Sequence, residues 1–161
     1  MDWVAVWVAG VWAAVVMVGD GEAFSSVSVA VVCDSMQPGH LSLGAQTDPS
    51  PYHIHITSKD DYYYVTVFGE KNREFKGFML QARDSKGQRV GRFIKVQKPG
   101  RIIDCSSHDG GAVQHKNSDP KTQVTASWVP EDFKGQVQFR ATVVESYTTY
   151  WVNLLSQPLT V

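Results

Sequence analysis

Between positions 71 and 101 the chain gathers ten cationic side chains: Lys71, Arg73, Lys76, Arg83, Lys86, Arg89, Arg92, Lys95, Lys98 and Arg101. Only Glu74 and Asp84 oppose them, so the stretch carries +8. Such side chains attract phosphates and carboxylates at long range and hold them by charge-assisted hydrogen bonds. Set on one sheet face or along its edge, they would bind the anionic groups of lipopolysaccharide, lipoteichoic acid or acidic lipid. The aliphatic stems of Lys and Arg, with Phe75 or Phe93 nearby, would add apolar contact. These ten are the candidate ligand-binding residues. The competing reading is a solvated face balanced by acids from neighbouring strands. If the face is the site, replacing Arg89, Arg92 and Lys95 together with Ser should weaken microbial binding without unfolding the domain.

Other chemistry is weaker. His53 and His55 lie two apart on an expected strand and so share one face. That spacing can chelate zinc or copper with a third ligand from His40, His108 or His115. The sequence brings none close, so two surface imidazoles are expected and no metal is assigned. No nucleophile elbow, zinc-protease helix or phosphate loop occurs. No catalytic residue and no cofactor is expected. Cys33 or Cys105 beside His115 could suggest a thiol nucleophile, but disulfide pairing would consume both thiols. Tyr52, Trp128 and Trp151 read as core aromatics rather than a sugar-stacking platform. The Tyr62-Tyr63-Tyr64 run must place rings on both faces of a strand, leaving at least one exposed.

The elements that position these residues have to fit into 161 residues, room for one ordinary domain. With 43% hydrophobic and 19% charged residues, a packed core is feasible. The formal net charge of −1 excludes a generally basic nucleic-acid binder. From Trp3 to Val18 every residue is apolar or glycine, shorter than the roughly 20 residues of a membrane span but suited to a secretory signal. Gly21 and Ala23 put small residues before a cleavage that divides the chain into a signal segment, 1–23, and a mature domain, 24–161. Asp2 stands where a cation is usual, and a later cut after Ala30 is the alternative. The mature chain then holds 15 basic and 13 acidic residues, net +2. In an oxidising compartment Cys33 and Cys105 most simply form one disulfide, two buried thiols being the alternative.

After Ala23 the chain reads as short strands and turns, with no sustained helical period. Val137, Phe139, Ala141 and Val143 alternate with polar residues, as do Val124, Ala126 and Trp128. Tyr52–Ile56 also alternates, and Tyr62–Phe68 is a β-branched and aromatic run. Phe78–Ala82 and Val90–Val96 flank Asp84-Ser85-Lys86-Gly87, which reads as a hairpin turn with Gly87 at positive φ. Seven or so such strands, punctuated by Gly and Pro, indicate an all-β antiparallel sandwich.

An ordered set of motifs adds to this. Cys33-x-x-Met36-x-Pro38-x-His40 is followed by Ser50-Pro51-Tyr52, Phe75–Arg83, Val90-Gly91-Arg92-Phe93 and Cys105. Ala112–His115, Lys121, Trp128-Val129-Pro130, Phe139–Val144 and Trp151 complete the order. This series resembles the reeler (reelin) domain family over essentially the whole mature chain. The resemblance implies an immunoglobulin-like β-sandwich with a Cys33–Cys105 disulfide. It also implies positions for His40 and His115 that satisfy loop backbone groups. Reeler domains occur at the front of matrix proteins and membrane ferric reductases, and alone in small secreted defence proteins. The resemblance therefore implies a secreted innate-defence protein, with bacterial surface glycolipids or anionic polymers as partners and antibacterial activity as a further expectation. An adhesion or matrix module binding a host protein or glycosaminoglycan is the alternative.

Overall fold

The computed structural model describes residues 29–39, 44–106 and 108–161. The expected signal segment 1–23 and His40 lie outside these residues. One short helix, α1 (Val29–Ser35), precedes ten strands. These are β1 (Tyr52–Lys59), β2 (Tyr62–Gly69), β3 (Gly77–Asp84), β4 (Arg92–Val96), β5 (Gly100–Cys105), β6 (His108–His115), β7 (Gln123–Val129), β8 (Gln136–Ser146), β9 (Thr149–Leu155) and β10 (Leu159–Thr160). They form two antiparallel sheets, β1-β2-β7-β4 and β10-β8-β3-β6-β5, with β9 also paired to β8.

The alternation that marks a strand with one dry face holds where it was clearest. Val137, Phe139, Ala141 and Val143 of β8 are buried, and Val124, Ala126 and Trp128 of β7 face them from the other sheet. The Trp128 and Phe139 rings meet edge to face at 5.3 Å, and Tyr52 lies between Phe75 and Trp151 at 5.7 and 5.4 Å. Tyr52, Trp128 and Trp151 are thus core residues. Edge-to-face rings add about 1 kcal/mol per pair beyond simple burial. The sandwich is pinned by aromatic contacts between its layers.

Two expectations are corrected. The Asp84–Gly87 turn forms, with Gly87 at φ 79° and its N–H donating to Asp84 O at 3.0 Å. It does not, however, close a regular hairpin of β3 with β4. After the single Arg83–Arg89 bridge the chain leaves the sheet, and β4 joins β7 in the opposite one. Gly91, at φ 57°, makes the crossing flush against the Trp128 ring, where any Cβ would collide. A pattern of apolar residues cannot tell a hairpin partner from a strand that switches sheets.

The second correction is α1, which sequence reading left unassigned. Its Val32 and Cys33, with Met36 just beyond, pack on Met79, Cys105 and Ala112, a small second core on the outer face of the β8-β3-β6 sheet. Seven residues are too few for a helix to stand alone. It is held by tertiary contacts, chiefly the Cys33–Cys105 disulfide, whose Cα atoms are 5.7 Å apart.

Candidate functional site

The ten candidate cations do not share a face. Strand registers split most of them between the two ends of the sandwich. At the first end lie the turn after β2, the start of β3, the β4–β5 turn and the segment leading into β7. Phe75 bridges to Lys121, Gly100 pairs with His115, and the Lys116 N–H donates to Pro99 O at 2.7 Å. This end carries Lys71, Arg73, Lys76 and Lys98. Arg83, Lys86, Arg89 and Arg92 sit at the second end, around the 84–91 crossing. Lys95 projects from edge strand β4, and Arg101 from edge strand β5.

Their chemistry divides by residue type. The arginines are engaged. Arg73 grips Glu145 with two hydrogen bonds, at 2.8 and 3.0 Å. Arg89 pairs with Asp34 at 2.8 Å, its side chain only 17% exposed. Arg92 pairs with Glu131 at 2.7 Å, and Arg101 donates to the Gln114 amide oxygen. Arg83 donates to Gly87 O, to Gln81 Oε1 and to the carbonyls of Cys33 and Asp34, the last turn of α1. Burial lowers the Arg83 pKa, and the like charges of Arg140 and Arg89 lower it further. Two members of the Arg89/Arg92/Lys95 trio therefore hold ion pairs of the fold, so their joint replacement would report on structure as well as binding.

The lysines are free. Lys71, Lys76, Lys86, Lys95 and Lys98 are exposed and enter no ion pair among the described residues. At the first end they are joined by exposed Lys116, which lies outside the 71–101 run and was not singled out from sequence. Only the Pro99–Lys116 contact brings it in. Beneath this rim Lys121 is buried over the Phe75 ring, its ammonium donating to the carbonyls of Lys76, Asn117 and Asp119. Burial pulls its pKa down to about 8, opposed by the Asp119 carboxylate. Lys121 is thus a strut under the lysine end.

The two ends differ in sign. The second end holds an open groove of about 480 Å³, lined by Asp60, Asp61, Tyr62, Tyr63, Glu131 and Lys134 among others. Its carboxylates repel the anions that the first end attracts. Tyr62 is the exposed ring that the tyrosine run required, while Tyr63 tilts against Trp128 at 5.8 Å.

The histidines are dispersed. His53 and His55 both face solvent on β1, and His53 contacts Glu70. His108 meets Gly91 O, and His115 is buried with Nδ1 at 3.1 Å from the Phe78 backbone. Desolvation lowers the His115 pKa. Among the described residues no three His, Cys, Asp or Glu side chains group as a metal site. No helix among them is long and apolar enough to cross a membrane.

Comparison with known proteins bears on this arrangement. A family model for the reeler domain matches residues 31–161. A protein of Antheraea mylitta named for defence is 39% identical over 135 residues, covering 80% of this chain and 81% of its own length. Defense protein l(2)34Fc of Drosophila melanogaster is 34% identical over 148 residues, 86% of this chain and 89% of that protein. Human ferric-chelate reductase 1 is 32% identical over 140 residues, but these make up only 23% of it. Among solved structures, the human F-spondin reeler domain superposes with a TM-score of 0.59 at 17% identity, over 73% of this chain and 94% of that one.

Proposed function

The chain belongs to the reeler domain family, and from that premise we propose that it is an extracellular defence protein that captures anionic polymers of microbial surfaces. Relatives of similar length named for defence support the defence role. The observation that carries the mechanism is the division of labour among the cations. Arginines are spent on internal partners, whereas Lys71, Lys76, Lys98 and Lys116 gather at one end, exposed and outside any ion pair of the described residues. A lysine ammonium is a mobile point charge that adapts to irregularly spaced phosphates. Capture is electrostatic, followed by shallow apolar contact, with no covalent step. Agglutination or killing would follow from binding many such polymers at once.

The disulfide supports the compartment, since such bonds persist where the surroundings are oxidising. The test is binding of the mature chain (residues 24–161) to lipopolysaccharide and lipoteichoic acid across a salt series, with heparin as competitor. Salt-sensitive binding to the bacterial polymers that heparin displaces only weakly supports the reading. Binding to heparin alone would replace it with a matrix role.

A further inference from the structure

The Phe139–Val144 segment contains one charged residue that the proposed function does not use. Arg140 lies on β8 with its side chain on the outer face of the sheet, opposite the buried Phe139 and Ala141. Its Nε is buried and has no hydrogen-bond partner. A buried donor without a partner in a native fold calls for a physical explanation.

The neighbours that could satisfy Arg140 are committed elsewhere. Gln81 stands directly across from it in register. The Gln81 Oε1 accepts from Arg83, and its Nε2 donates to Cys33 O at 2.7 Å. Asp34 is held by Arg89, and Asp84 is turned to the amides of Lys86 and Gln88. On its other side Arg140 faces Leu155, which is 52% exposed. Arg83, drawn back over Gln81, feels the positive charge of both Arg140 and Arg89. Three arginines thus meet on this face against the single carboxylate of Asp34, leaving two positive charges uncompensated.

We infer that Arg140 anchors a second anion subsite, separate from the lysine end, which takes a phosphate monoester. A phosphomonoester carries about −1.5 to −2 at neutral pH, matching the excess on this face better than a carboxylate does. Because Nε is closed to solvent, the terminal nitrogens of the guanidinium make the contact, and Arg83 and Arg89 contribute field rather than hydrogen bonds. Leu155 beside Arg140 offers the apolar contact that a lipid-borne phosphate would use and a free phosphate would not.

The test is thermal melting of the mature chain in inorganic phosphate against chloride at matched ionic strength. Sedimentation with vesicles of phosphatidic acid in phosphatidylcholine, against phosphatidylcholine alone, accompanies it. Phosphate should raise the wild-type midpoint, and R140Q should abolish the rise and weaken phosphatidic acid binding about tenfold. R140K, which keeps the charge but loses the fork, should also lose the rise and serves if R140Q fails to fold. L155S should weaken vesicle binding alone if the phosphate is lipid-borne, whereas a phosphate response without vesicle binding identifies a free phosphate. No midpoint shift in the wild type, or an equal shift in the folded Arg140 variants, would overturn the subsite. Neither result bears on the lysine end, whose variants are read separately.

Discussion

The Arg83 guanidinium donates to the backbone carbonyl of Cys33 at 3.0 Å, the same residue whose sulfur is bonded to Cys105. One residue of α1 is therefore fastened twice to the outer face of a sheet, once covalently and once by a cation at the helix C-terminus. Positive charge at that end of a helix is favourable, because the last carbonyls lack helical partners. Arg83 also reaches Asp34 O. The most central cation of the basic run thus serves the fold.

Replacing Arg83 with Gln should cost about 2 kcal/mol, the range for hydrogen bonds to a charged group. It should also speed hydrogen exchange at the Met36 amide, which donates to Val32 O. Urea unfolding and native-state exchange check the two effects. Unchanged exchange at Met36 would show that the disulfide alone holds α1.

Removing the disulfide with Cys33→Ser and Cys105→Ser should cost about 2–5 kcal/mol. Exchange protection should fall first in α1 and around Met79 and Ala112, and only later across the Trp128–Phe139 core. The two cores are separate clusters on opposite faces of one sheet.

What was legible in the sequence follows from physical range. Period-two patterning located β1, β2, β7 and β8 because burial on one face is a local consequence of the pleat. The route of β4 into the opposite sheet was not legible, since the decision rests on Gly91 meeting Trp128 across 37 residues of chain. α1 was missed because its stability comes from a disulfide partner 72 residues away. For the candidate site, the list of cations was correct as a list of charges and uninformative about their partners. Arg73 finds Glu145 and Arg89 finds Asp34 through strand pairings that no spacing reveals.

Gly91→Ala should destabilise the protein by at least about 2 kcal/mol. It places a side chain at positive φ and into the Trp128 ring, two costs that add. Gly87→Ala, also at positive φ but with open space around it, should cost only about 1 kcal/mol. Thermal melts of the pair separate collision from backbone strain, and equal losses would contradict the crowding at the crossing.

Acid should weaken the fold through His115. Burial holds its folded pKa below the 6.5 of a free imidazole. Below pH 6.5 the unfolded chain binds the extra proton first, so stability is full above that value and falls as the pH drops toward the folded pKa. His115→Asn, whose side-chain oxygen can accept from the Phe78 amide as Nδ1 does, should flatten that slope. Urea midpoints between pH 4.5 and 7.5 measure it. A wild-type slope that persists in the variant would assign the acid sensitivity elsewhere.

The most direct test of the lysine end is affinity for lipoteichoic acid and lipopolysaccharide when Lys71, Lys76 and Lys98 are replaced together by Ser. These three are exposed and outside the ion pairs of the described residues, so the variant should melt as the wild type does. The account expects binding at low salt to fall at least about tenfold and the salt dependence to flatten. Unchanged affinity in a folded triple variant would contradict it.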